Sequence, residues 1–553
     1  MIVYHVNLII SFVIILYFLL LLLQYYARFL LSVKYIIKYN TVLRIMSSAC
    51  VNNCKLLKSI CLNVSGAIKR RKMSINNNDV GSNSYDDAVK MLNSLQSFNS
   101  KLTRHPGNLK LGQVNTFLNR CGVSYDDLDQ LSVIHVAGTK GKGSTCVFCE
   151  QLLLHKGYRI GLFTSPHLIS VKERFRIDGK VISDDKFVFY FWSVYNTLLS
   201  KKSNGEELPA YFMFLTVMAY KMFVNEKVDV AIIETGIGGE YDCTNILRKT
   251  SVVGISSLGF DHTTVLGNTL KEIAWQKSGI MKPNSVTIVA NDQPKETHQT
   301  LIERSVEKQT TLLEAPPFNK YNWYENTSEL GILSTAQEIN ASLAIQLANA
   351  WINRNNKYDW LKECKIGLNG MKQAPIWEIN KQDKQALRNV KWLGRNQILN
   401  MTPNLSYFLD GAHTIESIQL CSKWYQNVCP KSQLNIKNIL IFNVTALRDY
   451  SVFLKILLTE NKIDLVLLCP IVTLINNHRP DTVDMNFNYE EQLVKCYNMK
   501  NSIDICDAEV FNSIQETIEY VKICSSSEKN INFQVLVTGS LKLVGGVLEV
   551  LQL

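Results

Sequence analysis

Ser132–Glu150, SVIHVAGTKGKGSTCVFCE, decides how the chain folds. Val133–Val136 is an apolar, β-branched run and predicts a strand. Gly138-Thr139-Lys140-Gly141-Lys142-Gly143-Ser144-Thr145 follows, and then Cys146, Val147, Phe148 and Leu152–Leu154 supply the apolar positions of a helix. Strand, glycine-rich turn and helix form the setting in which a phosphate loop works. Glycines let backbone N–H groups approach an anion, the helix N-terminus adds partial positive charge, and Lys142 adds a full one. Gly143 separates Lys142 from Ser144, so the stretch reads as a variant phosphate loop; a structural glycine turn is the alternative.

Outward from this stretch, the 553 residues leave room for roughly two to four domains. An apolar content of 46% with 19% charged residues describes a globular chain. The net charge of +11 is unevenly spread. Residues 1–78 hold ten Lys and Arg and no acid, which leaves 49 basic against 48 acidic residues in the rest. A nearly neutral body argues against a nucleic-acid surface. Val6–Ala27 is uncharged and apolar over a length that fits a membrane span or signal anchor. From Met46 to Ser74 the chain is basic, serine-containing and free of acids, the composition of a mitochondrial transit peptide. Translation starting at Met46 or Met73 is the alternative, with Met1–Arg44 then outside the protein. The fourteen cysteines are scattered, and Cys146/Cys149 at one-turn spacing on an apolar helix reads as core packing. Reduced thiols in cytosol or mitochondrial matrix follow.

Strand and helix candidates alternate beyond the leader. Strands are expected at Arg159–Thr164, Val228–Ile233, Ser251–Ser257 and Val286–Ala290, with helices at Phe212–Val224, Leu270–Ile280 and Glu338–Trp351. After a polar stretch, Asn380–Asn389, a second unit offers strands at Ser406–Leu409, Asn438–Val444, Asp464–Leu468 and Gln534–Thr538. The expectation is an α/β chain of two domains, residues 84–385 and 386–553, behind a leader of residues 1–83, each domain with a mostly parallel sheet. Polar groups collect at strand ends: Gly138–Thr145, Ser165-Pro166-His167, Glu234, Asp261-His262 and Asp410-Gly411-Ala412-His413. In open α/β sheets that edge binds ligands.

GTKGKGST, TSPHL with ERFRIDG, ETGIGGEYDCTN, SSLGFDHTTVLG, IAWQKSGI, WLGRNQ, FLDGAHT and VLVTGSLKLVGGVL stand in this order between Tyr85 and Leu551. The series resembles the folylpolyglutamate synthases, ADP-forming amide ligases related to the bacterial Mur enzymes, and its wording resembles the eukaryotic branch. The resemblance implies an N-terminal P-loop-type ATPase domain and a C-terminal Rossmann-like domain. It implies a reaction in which ATP activates the γ-carboxylate of a tetrahydrofolate's last glutamate, and the amine of L-glutamate attacks the acyl phosphate. It further implies that Gly138, Thr139, Lys140, Gly141, Lys142, Gly143 and Ser144 bind the ATP phosphates. It implies that Arg395 reaches ATP from the second domain, that Asp410 takes the ribose, that Asn340 lies near the adenine, and that His413 stands between nucleotide and glutamate. Ser165 and Glu234 resemble ligands of a first Mg²⁺, and His262 a ligand of a second. Lys277 resembles the family's carbamylated lysine, and K⁺ or another monovalent cation is a further candidate. Lys142, Lys277 and His413 are the expected catalytic groups.

Taken alone, Ser165 reads as a turn residue, Glu234 as a strand-end carboxylate, His262 as a helix-capping or core histidine and Lys277 as an ordinary helix lysine; their metal roles rest on the resemblance. Four positions depart from the family pattern: Ala446 and Leu447 within Thr445-Ala446-Leu447-Arg448-Asp449, Lys542 in place of histidine, and Glu240. The resemblance implies a monomer in cytoplasm or mitochondrion, with small-molecule substrates, no nucleic acid, and membrane contact only through the leader. The rivals are a dihydrofolate synthase, a P-loop NTPase and a non-catalytic membrane-anchored binding protein.

Overall fold

A nine-stranded sheet carries the phosphate loop, and a six-stranded sheet stands behind the second set of motifs. The computed structural model describes residues 84–96, 107–367, 369–429, 435–445, 448–473 and 488–551. Val6–Ala27 and the transit-like segment lie outside these residues. No helix among the described residues is long and apolar enough to cross a membrane.

The first sheet holds β1 (Val133–Ala137), β2 (Ile160–Phe163), β3 (Phe175–Ile177), β4 (Lys180–Val181), β5 (Val230–Glu234), β6 (Val252–Ile255), β7 (Val286–Val289) and β8 (Thr311–Glu314). β9 (Asn322–Trp323) and β11 (Glu378–Ile379) pair beside it, and β10 (Lys372–Gln373) closes one edge in the order β10-β8-β7-β6-β1-β5-β2-β3-β4. Every pairing is parallel except those of the β2-β3-β4 edge. β1 and β5 are buried along their whole length, as expected of strands covered on both faces. The register Val133↔Ala231 and Ile134↔Val252 sets β1 between β5 and β6, so the loop leaving β1 opens beside Glu234.

The second sheet runs β12 (Gln397–Thr402), β13 (Leu405–Leu409), β17 (Asn532–Thr538), β14 (Ile436–Phe442), β15 (Leu465–Leu468), β16 (Asp507–Val510). Only the β12 edge is antiparallel among these pairings, and it carries an irregularity between Asn400 and Thr402. The two sheets meet where the loop after β2 lies on the last helix, Leu541–Val550. A Cβ at Gly545 would stand 2.2 Å from the Leu168 carbonyl oxygen, so only glycine allows this approach.

Most expected elements lie within a residue or two of their predicted ends. Asn380–Asn389 differs: Lys381–Arg388 is a helix capped by the Asn380 side chain. Its Ala386 and Leu387, with Val390, are buried in the core of the first sheet. The expected boundary between residues 385 and 386 therefore falls inside a helix, because two apolar residues among eight polar ones suffice to dock it.

Candidate active site

The carboxyl ends of β1, β2, β5, β6 and β13 face one cleft of about 4050 Å³ between the sheets. Lys142, Ser165, Glu234, His262, Arg395 and His413 all line it. Gly138 and Lys277 lie behind the loop instead of on the cleft wall, joined to each other: Lys277 Nζ donates to the Gly138 carbonyl at 2.7 Å.

The loop is shaped by its glycines and by β6. Thr139 N–H and Lys140 N–H both donate to Ser257 O, at 3.0 and 3.1 Å, which pins the start of the turn. Gly141 caps the helix Lys142–His155 in the left-handed region at φ 82°. A Cβ there would come within 1.9 Å of Asn340 Oδ1, so Asn340 closes over the loop. Lys142 Nζ donates to Gly138 O at 3.1 Å, which holds the ammonium along the loop. Lys140, also on the cleft wall, reaches the second sheet's side: its Nζ bonds Thr414 Oγ1 and stands 3.0 Å from Glu416 Oε2 at the start of the helix Ile415–Val428.

Glu234 ends β5 and is 3% exposed. Its Oε2 accepts the Ser165 N–H at 2.8 Å. Burial raises its pKa, opposed by Lys142, the Ser165 N–H, Arg395 and Arg174. Lys277 is pushed down to about 7, first by burial and then by Lys142. His262 occupies a left-handed conformation at φ 50° at the start of a short helical turn. Burial lowers its pKa, with Asp261 opposing, and Asp261 Oδ2 lies 3.9 Å from His262 Nε2.

Across the cleft, Asp410 accepts Asn396 N–H at 2.9 Å and Ala412 N–H at 3.0 Å. Burial raises its pKa, opposed chiefly by the neighbouring Arg395. His413 is held down to about 4, by burial first, and its Nδ1 lies 2.7 Å from Gly411 O. A neutral ring that donates from Nδ1 keeps Nε2 as an acceptor.

Among the described residues, no three His, Cys, Asp or Glu side chains stand together as a metal site. A single buried carboxylate beside a hydroxyl still suits Mg²⁺, which binds through one or two carboxylates plus phosphate oxygens and retained waters. Sequence reasoning assigned no role to Arg174, although it lies in the quoted ERFRIDG motif. Its Nε lies 3.0 Å from His167 Nδ1, its guanidinium 5.8 Å from the Tyr211 ring centroid, and it lines the same cleft. Arg448 donates to His413 O at 2.9 Å, which ties the departing segment to the second-sheet loop; Ala446 and Leu447 lie outside the described residues.

Fold and site together define a phosphate-loop α/β protein whose cleft is walled by a second, mostly parallel sheet. A family model described as "Dihydrofolate synthetase, C-terminal domain" matches residues 397–550. The chain is 39% identical over 429 residues to "Folylpolyglutamate synthase, mitochondrial" of Cricetulus griseus, covering 74% of this chain and 72% of that protein. It is 36% identical over 493 residues to "Putative folylpolyglutamate synthase" of Caenorhabditis elegans, covering 84% and 92%. The chain belongs to the folylpolyglutamate synthase family. Among solved structures, "Mycobacterium tuberculosis Folylpolyglutamate synthase complexed with ADP" superposes with a TM-score of 0.64 at 19% identity, covering 83% of this chain and 97% of that one. The "FPGS-AMPPCP-folate complex" gives 0.62 at 21% identity, covering 85% and 99%. Both share the fold.

Proposed function

We propose that the cleft joins a folate to glutamate: the protein is an ATP-dependent, ADP-forming ligase that adds γ-linked glutamates to tetrahydrofolates, retaining them in the cell for one-carbon metabolism. The observation that carries this reading is the convergence of Lys142, Glu234, Arg395 and Asp410, from two sheets, on one cleft. A carboxylate is a poor electrophile. Its oxygen attacks the γ-phosphorus of ATP, the bond to the β-phosphate oxygen breaks, and ADP leaves. The amine nitrogen of L-glutamate then attacks the acyl carbon, the carbon–oxygen bond to phosphate breaks, and an amide forms.

Both steps gather negative charge, so the protein's work is positioning and charge neutralisation. Backbone N–H groups from Gly141 to Ser144 and the Lys142 ammonium hold the phosphates. Arg395 offers a fork to phosphate oxygens from the opposite wall, and Asp410 accepts ribose hydroxyls. Asn340, over the loop, takes the adenine edge. His413 Nε2 accepts an N–H of the incoming amine and aims its lone pair at the acyl carbon. Ser165 and Glu234 would hold a first Mg²⁺ and His262 a second, and these ions would supply neutralisation of the phosphate oxygens. The lowered pKa of Lys277 leaves part of its amine neutral near pH 7, as carbamylation by CO₂ requires. A monovalent cation such as K⁺ is a further candidate.

In this reading residues 84–390 and 391–553 are the two domains, the chain acts as a monomer, and membrane contact arises only through the leader. Mitochondrial targeting fits the acid-free segment Met46–Ser74 and the mitochondrial naming of the relative above; cytoplasmic protein would start beyond it. The family model's description keeps dihydrofolate synthase as the second reading. ADP release measured with glutamate plus tetrahydrofolate, and with glutamate plus dihydropteroate, separates the two. The first pair is expected to drive turnover; turnover with dihydropteroate alone would move the protein to the second reading.

A further inference from the structure

Asn396 follows Arg395 and occupies the left-handed region at φ 45°, a conformation asparagine tolerates better than most residues. Its Oδ1 accepts from Ser334 Oγ at 3.2 Å and from Gln337 Nε2 at 3.4 Å. Both donors start the helix Thr335–Ile352, which packs on the first sheet. Its own N–H goes to Asp410 Oδ2 on the second sheet. Gln337 Oε1 in turn accepts Asn340 Nδ2 at 3.1 Å, and Asn340 Oδ1 is the atom that covers Gly141. A chain of hydrogen bonds therefore runs from Asn340, which lies over Gly141 of the phosphate loop, through Gln337 and Asn396 to Asp410. The donor and acceptor order agrees at every link, since each amide has one orientation that serves both neighbours. Gln337 and Asn340 are both buried, so the chain is shielded from competing water over that part.

We propose that Asn396 is a positioning residue: its side chain ties the Arg395–Asp410 wall to the helix that covers the phosphate loop, so that the nucleotide is gripped from both sheets at once. The inference rests on the reading of the cleft as an ATP site. Asn396 acts through its neighbours. Its amide fixes the turn in which Arg395 and the Asp410 carboxylate are presented.

Asn396→Gly keeps the positive φ and the N–H to Asp410 and deletes only the amide. With full-length protein, calorimetry using AMPPCP is expected to show binding weakened about tenfold, the size of one or two lost hydrogen bonds. The KM for tetrahydrofolate and the thermal midpoint stay at wild-type values. In a Ser334→Ala, Gln337→Leu background the same change is expected to cost less than about twofold, because the partners are already gone. Unchanged AMPPCP affinity in Asn396→Gly overturns the proposal, as does a full tenfold loss that persists in the background variant, or a fall in thermal midpoint with affinity intact. Failure of the wild-type protein to bind AMPPCP overturns the ATP reading itself and is distinguishable from all three.

Discussion

Glu234 is held at a balance that only its neighbours make tolerable. A carboxylate this buried favours its neutral form, and Lys142, Arg395 and Arg174 pull it back toward the charged one. Glu234→Ala removes the one carboxylate at the end of β5 and is expected to lower ligation at least about a hundredfold while circular dichroism stays unchanged; wild-type turnover would contradict its role. Lys277 gives a second test. Its folded pKa of about 7 lies below the usual 10.5, so between these values the unfolded chain holds a proton the folded chain lacks. Folding stability therefore rises with pH through that window. Below it the buried ammonium is a full penalty. In CO₂-depleted buffer, Lys277→Met is expected to raise the thermal midpoint over wild type more at about pH 6.5 than at about pH 9. An equal shift at both would contradict the buried-charge account. At this scale what was legible is position: the motifs put Lys142, Glu234 and Asp410 at strand ends, and all three line the cleft. Arg174 escaped because, although His167 stands only seven residues before it, Tyr211 comes from a separate helix, and no local pattern reports a cation meeting both in space.

Among the elements, the phosphate loop was legible because its chemistry is local. Strand, glycines and helix follow one another, and Gly141 needs its φ of 82° as well as the space that Asn340 fills. Gly141→Ala meets strain and a clash together, a cost of about 1–3 kcal/mol. It is expected to weaken AMPPCP binding at least about tenfold by calorimetry; unaltered affinity would show that the turn's geometry is not what binds the nucleotide. The helix Lys381–Arg388 was not legible. Its composition is that of a linker, and only burial of Ala386 and Leu387 reveals that it belongs to the first sheet. Lys140, which lines the cleft, makes a contact that no local pattern reports. It sits in the loop by sequence, yet its ammonium finds Glu416, nearly three hundred residues away, because the second sheet faces it.

For the whole molecule, what matters is the docking of two sheets that each supply half a cleft. Parallel order within each sheet follows from alternating strands and helices, but no pattern in the chain states how the sheets meet. That depends on contacts such as the Leu168 carbonyl against Gly545. Gly545→Ala forces a Cβ to within 2.2 Å of that oxygen. It is expected to destabilise the protein by about 1–3 kcal/mol in denaturant unfolding, as overpacking does. No change would mean the contact is loose. The central claim is that this cleft extends folates by glutamate. The most direct measurement incubates full-length protein with ATP, Mg²⁺, labelled glutamate and tetrahydrofolate, and follows the products by mass spectrometry. The account predicts a ladder of products, each one glutamate heavier, with one ADP released per addition. ADP release without any amide product, or addition only to dihydropteroate, would contradict it.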